Sequence, residues 1–387
     1  MKKQLVIAAA VAATFASASY AQSSVTLYGI VDAGFTYTTN QATGYDVNGN
    51  LVGHNKFGMT SGNVQASRWG LRGVEDLGGG LRAIFTLESG FDVMNGGLNG
   101  GLFNRQAYVG LTQDQFGTVT LGRQFDSVID YVAPLTAVGT WGGTYMAHLG
   151  DNDNLNGSYS INNSIKFRSA NYSGFEFGGM YGFSNQAGGF ANGRQYSAGA
   201  SYNYGGLRLG AAYSQVQGLD RANGSASVAG TPISGMFNSF GADSQRQRTW
   251  GAGASYAYGP LVGGVVFTQT RVNDVVNDSV RINNLEANVR YNLTPALAIG
   301  GMYTYTTMRG TLPLTSVTGS NSAHWNQFGL QADYALSKRT DVYLEGVGLW
   351  GAGQNAVGLT QVGVTADGGV SSSKNQGVIT TGIRHRF

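Results

Sequence analysis

Six basic side chains fall at alternating positions in the first half of the chain: Arg68, Arg72, Arg82, Arg105, Lys166 and Arg168. In "SRWGLRGVE" Trp69 and Leu71 take one side while Arg68 and Arg72 take the other. In "GLRAIFTLESG" Leu81, Ala83, Phe85 and Leu87 oppose Arg82 and Glu88. "FNRQAYVGL" sets Arg105 against Tyr108, and "SIKFRSANY" sets Lys166 and Arg168 against Ile165 and Phe167. Cations fixed along the wet side of a wall make and break no bonds. They impose a field that sorts ions by sign. Asp32 and Glu88 are the acids expected on the same side. Arg123 in "TVTLGRQ" shares the parity of Val119 and Leu121 instead, so it points outward and is a candidate for a subunit interface.

Other chemistries find little support. His54, His148, His324 and His385 are scattered, and neither a nucleophile elbow nor a zinc-binding helix is present. "DNDN" at 151–154 offers hard oxygens but lacks the spacing and terminal glutamate of a calcium loop, so Asx turns are expected there. Cysteine is absent, which removes disulfides and thiolate metal sites. No enzyme, cofactor or metal is expected.

An alternating wall needs strands. "SVTLYGIVDAGFTY", "GFEFGGMYGF" and "NNLEANVRYNL" each alternate apolar with polar or small residues, and no helical period competes. Sixteen strands are predicted: 24–38, 65–75, 80–92, 103–114, 117–126, 164–173, 176–185, 194–204, 207–216, 248–258, 261–273, 280–293, 297–309, 324–336, 340–351 and 376–387. Most are about 10 to 14 residues long, which suits a tilted bilayer crossing better than a globular sheet. The 61 glycines, 21 tyrosines, 18 phenylalanines and only 5 prolines fit long strands with tight turns. "MKKQLVIAAAVAATFASASYAQ" reads as a cleaved signal peptide over 1–21, leaving one domain over 22–387. The formal charge of +3 drops to +1 once Lys2 and Lys3 leave, far from a nucleic-acid binder.

Short connections alternate with long ones near 39–64, 93–102, 127–163, 217–247, 310–323 and 352–375. Two loop lengths on an even strand count imply an all-β transmembrane antiparallel barrel, closed because lipid tolerates no open edge. "GVITTGIRHRF" is the closing strand, with Ile379 and Ile383 toward lipid, Arg384 and Arg386 toward the lumen, and Phe387 in an aromatic girdle. Tyr202, Tyr204, Tyr256, Tyr258, Tyr291 and Tyr334 are the other girdle candidates. Segments 217–247 and 352–375 are polar enough to sit in water. Segment 127–163 carries Val132, Leu135, Val138, Trp141, Tyr145 and Met146, too apolar for a free loop. It is expected to fold into the lumen as a constriction.

The stretches "SSVTLYGIVDAGFTY", "SRWGLRGVEDLGGGLRAIFTLESGFD", "NRQAYVGL", "GTVTLGRQFD" and "SANYSGFEFGGMYGFSN", with the terminal aromatic, resemble Gram-negative general diffusion porins of the neisserial and betaproteobacterial type. The resemblance implies a homotrimer in the outer membrane, in contact with its lipid and lipopolysaccharide. It also implies passive diffusion of small hydrophilic solutes and inorganic ions past an infolded third external loop. Arg68, Arg105 and Arg168 match basic positions of the family's eyelet. A first-strand lysine of enterobacterial relatives falls on Ile30, and their loop acids fall near the neutral Thr136 and Thr140. Asp126 and Asp130 are the acids left to substitute. A weak anion preference is therefore expected. A substrate-specific channel and an adhesin-like barrel are the alternatives.

Overall fold

The computed structural model describes residues 24–185, 187–190, 193–217, 228–229, 244–274, 279–310, 321–353, 356–357, 359–364 and 369–387. The expected leader over 1–21 lies outside them. The described strands are β1 (Ser24–Tyr45), β2 (Leu51–Ser61), β3 (Arg68–Gly78), β4 (Leu81–Gly90), β5 (Gln106–Gln113) and β6 (Gly117–Gln124). Then come β7 (Ser160–Ser169), β8 (Phe175–Gly182), β9 (Gln195–Tyr204), β10 (Leu207–Gln217) and the two-residue β11 (Val228–Ala229). The rest are β12 (Ser244–Tyr258), β13 (Leu261–Asp274), β14 (Ser279–Asn292), β15 (Leu297–Gly310), β16 (Asn321–Ala335), β17 (Thr340–Gly353) and β18 (Asn375–Arg386).

The wall strands pair antiparallel in chain order, and β18 returns to β1 with Ile30 opposite Arg386 and Thr38 opposite Val378. β2 and β3 share one wall position, since β2 pairs with the outer half of β1 and β3 with its inner half. β11 is a bridge from a long connection to the end of β7. The result is a closed sixteen-strand barrel. Phe387 completes the seam by exchanging both backbone bonds with Gly29 at 3.1 Å.

Alternation along each strand separates two environments. Val265, Leu285, Ile299, Leu330, Leu344, Ile379 and Ile383 form an exposed apolar exterior, Leu330 at 70%. The girdle tyrosines and Phe387 are exposed beside the short turns. Arg384 turns the other way and binds Asp341 at 3.0 Å and Asp333 at 3.1 Å, while Arg386 reaches Asp341 at 2.6 Å. In lipid such side chains survive only where water or a counter-charge meets them.

Two expected loops differ. The stretch 39–64 is mostly a hairpin, because β1 runs on to Tyr45 and β2 returns from Leu51 around a turn held by Asp46, which accepts from Asn48 N and Asn50 N at 2.8 Å. Lys56, His54 and Asn55 interrupt its apolar pattern, although Phe57 and Met59 are exposed on the same side as Phe35, with the Phe35 and Phe57 rings stacked at 6.1 Å. In 352–375, expected to sit in water, Ala356, Leu359 and Val362 are buried. They pack in one cluster with Trp141, Tyr145, Met146 and Trp325, and the Trp325 indole donates to Thr360 Oγ1 at 2.9 Å.

Candidate functional site

Residues 127–155 track along the wall on the face opposite the exposed apolar one. Glycines at alternate wall positions give their backbone room. At Gly210 an added Cβ would sit 2.1 Å from the Tyr131 carbonyl oxygen, and at Gly300 it would meet the Trp141 ring at 2.5 Å. Asp126 caps the helical turn Ser127–Tyr131, accepting from Val128 N at 3.1 Å and Ile129 N at 3.3 Å. Thr136 caps Ala137–Thr140 by accepting from Gly139 N at 3.1 Å. Leu135 O accepts from Asn288 Nδ2 at 3.0 Å, and Gln327 Nε2 donates to Tyr145 O at 3.1 Å and Ala147 O at 3.2 Å.

The firmest tie is ionic. His148 is fully buried, with Nδ1 2.6 Å from Asp153 Oδ2 and Nε2 2.9 Å from Glu286 Oε2 on β14. Glu286 Oε1 also accepts from Ala137 N at 2.7 Å, and Asp153 Oδ2 accepts from Thr268 Oγ1 at 2.5 Å. Burial alone would lower the imidazole's pKa. The Asp153 and Glu286 carboxylates outweigh it and push the pKa up to about 10. Burial pulls Asp153 upward, yet His148 holds it below the usual carboxylate range. An imidazolium between two carboxylates thus staples the segment to the wall.

Across the bore, Glu88 is buried between two guanidiniums, with Arg105 Nε at 2.7 Å and Arg68 Nε at 3.8 Å. The Tyr28 hydroxyl donates to the same carboxylate at 3.0 Å. Arg72 lies 5.6 Å over the Tyr28 ring. Arg105 and Arg123 line a cavity of about 490 Å³, with Asn63 and Ser67 from the break between β2 and β3 and Thr144 and Tyr145 from segment 127–155. Nothing here groups a nucleophile with a base and an orienting partner.

A family model described as Gram-negative porin matches residues 8–347. Over its full length the chain is 32% identical to an outer membrane porin protein of Bordetella pertussis, covering 100% of each. It is 30% identical to outer membrane porin protein 32 of Delftia acidovorans, again with 100% coverage of both. The fold matches the anion-selective porin from Comamonas acidovorans with a TM-score of 0.70 at 23% identity, over 95% of this chain and 100% of that one. The chain belongs to the Gram-negative porin family. It is an outer-membrane diffusion pore and not an enzyme.

Several expected site residues of this porin need reassignment. Arg82 is not with the bore cations: it pairs with Asp114, both well exposed, beside the turns after β3 and β5. Asp32 is spent on structure, filling the break between β2 and β3 by accepting from Val64 N at 2.9 Å, Gln65 N at 2.8 Å and the Tyr343 hydroxyl at 2.5 Å. Asp126 is fully buried at its cap, and that burial raises its pKa. Thr136 and Trp141 are likewise buried, and only Thr140 of that trio is exposed. Tyr108 does not share the exterior with Val109 and Leu111, which are exposed; Arg105 lies just before β5 and escapes its parity. Arg123 follows a bulge, where Gly122 adopts φ +140°, and its guanidinium is held within its own chain by Asn104 O at 2.7 Å and Asn162 Oδ1 at 2.6 Å. Lys166 meets Asp130 at 2.5 Å and Arg168 meets Glu176 at 2.6 Å, so both carry acidic partners. The "DNDN" run forms turns and the histidine staple: Asp151 accepts from Asn156 N at 2.9 Å and from Ser158 Oγ at 2.6 Å. Sequence reasoning missed the staple itself. An unpaired glutamate at an inward position of β14 is the signal that could have prompted a search for it.

Proposed function

We propose that this porin passes small hydrophilic solutes and ions with a weak preference for anions, sieved where segment 127–163 narrows the bore. The observation that carries the sign is the wall opposite that segment. Arg68, Arg105 and Arg123 stand there with Glu88 as the shared carboxylate, itself buried, while Lys166 and Arg168 are already matched. The excess is positive but small. The Comamonas relative described as anion-selective supports the same sign. Assembly as a homotrimer, in contact with lipid and lipopolysaccharide, belongs to this reading.

The test is the reversal potential of the refolded protein in a planar bilayer under a salt gradient. Anion preference is expected, and Arg68→Ala with Arg105→Ala should shift it toward cations with a larger conductance. A cation-selective wild type would overturn the sign, and unchanged currents in the double variant would remove both arginines from the bore.

A further inference from the structure

Four arginines stand in one row across four adjacent strands. Arg248 on β12 is directly opposite Arg271 on β13, Arg271 is opposite Arg281 on β14, and Arg281 is opposite Arg309 on β15. All four share the parity of Trp250, Val265, Leu285 and Tyr305, which makes this the exterior face and not the bore. Like charges directly opposed across strands destabilise a sheet unless something offsets them. Among the residues whose side chains are described, no carboxylate lies within 4 Å of any of the four. Arg248 reaches Asn273 Oδ1 only at 3.4 Å and Arg271 reaches Ser279 Oγ at 3.3 Å. The Nε atoms of Arg248 and Arg271 are buried without a hydrogen-bond partner, as is that of neighbouring Arg246.

Depth identifies the partner. Ten residues along β14 separate Arg281 from the girdle tyrosine Tyr291 on the same face, about 33 Å of strand. With the usual tilt this is a height of about 25 Å, the thickness of a barrel's apolar band. The row therefore lies one band above the inner girdle, at the end bearing the long connections. That is the head-group level of the outer leaflet. Guanidinium forks match phosphate oxygens in pairs, and adjacent forks can share one phosphorylated head group.

We propose that Arg248, Arg271, Arg281 and Arg309 bind the phosphates of lipopolysaccharide in the outer leaflet. The inference rests on the outer-membrane orientation but is independent of the channel's selectivity.

The test compares the refolded wild type with Arg271→Gln/Arg281→Gln, Arg271→Lys/Arg281→Lys and Arg82→Gln. Each is titrated in detergent with purified bisphosphorylated lipid A, its dephosphorylated form and inorganic phosphate. Conductance and oligomeric state are measured on the same samples. The wild type should prefer the bisphosphorylated lipid by about tenfold or more, and the glutamine pair should lose that preference. The lysine pair should retain part of it and Arg82→Gln all of it. If the glutamine pair misfolds, the lysine pair still reports, because its loss of paired geometry must weaken binding. Equal affinity for both lipids, or full binding by the glutamine pair, overturns the proposal. Inorganic phosphate binding as tightly as the lipid would make the row a free-anion site. A changed oligomeric state with unchanged lipid binding would make it a contact between copies. Absent conductance would count against the pore reading, whereas normal conductance with indifferent lipid binding sinks the arginine site alone.

Discussion

Replacing His148 with leucine should unfasten segment 127–155 while leaving the barrel closed. The wild-type imidazolium sits 2.6 Å from one buried carboxylate and 2.9 Å from another, in a fully buried site. Removing it leaves Asp153 and Glu286 buried without the cation between them, a loss of about 3–5 kcal/mol for a buried pair. The two carboxylates hold the imidazole protonated at neutral pH, with its pKa pushed up to about 10. That loss falls on the segment, because the wall's own backbone bonds do not involve it. Single-channel recording at pH 7 should show a larger and noisier current, and limited proteolysis should cut within 127–155 while the barrel survives. The wild type should reproduce this with alkali. With its pKa raised in the folded state, His148 contributes fully below about pH 6.5, and the contribution fades as the pH rises through about 10. Asp153 has the opposite sign, its contribution disappearing only as the pH falls below about 4. Quiet wild-type-like currents in His148→Leu at pH 7, together with resistance to protease, would refute the reasoning.

Two further outcomes follow from the same geometry. Glu88→Gln removes the carboxylate shared by Arg68 and Arg105, so reversal potentials should move further toward anions, provided conductance shows an intact pore. Trp141→Ala should weaken packing of segment 127–155 by about 3–5 kcal/mol, the usual cost of emptying a buried tryptophan site. Faster proteolysis of both 127–155 and 356–364 would register it, because the two share one cluster.

The wall was legible because lipid on one side and water on the other force a two-residue period. β5 through β10 and β12 through β18 lie within a few residues of their expected spans. What the alternation could not convey was pairing across the bore. His148 and Glu286 are 138 positions apart, and nothing local to either says that they meet. Arg82 and Arg105 look equivalent by parity, yet one ends beside a rim aspartate and the other on Glu88. Height along a tilted strand, which parity does not encode, separates them. Arg123 sits at a register shift between Gly122 and Gln124, and its hold on Asn104 O and Asn162 Oδ1 is another contact that parity does not encode. The burial of Leu359 and Val362 was hidden by their Gly/Ser-rich surroundings, since two apolar side chains suffice when a hydrophobic cluster already waits for them.

The junction of Leu359 and Val362 with Trp141 and Met146 ties the connection 352–375 to segment 127–155. Connections between strands ordinarily tolerate sequence change better than the strands they join. Here Leu359 and Val362 also share a buried cluster with side chains of segment 127–155. Substitutions at Leu359 or Val362 would therefore also loosen the packing of Trp141 and Met146, which limits how freely this connection can vary.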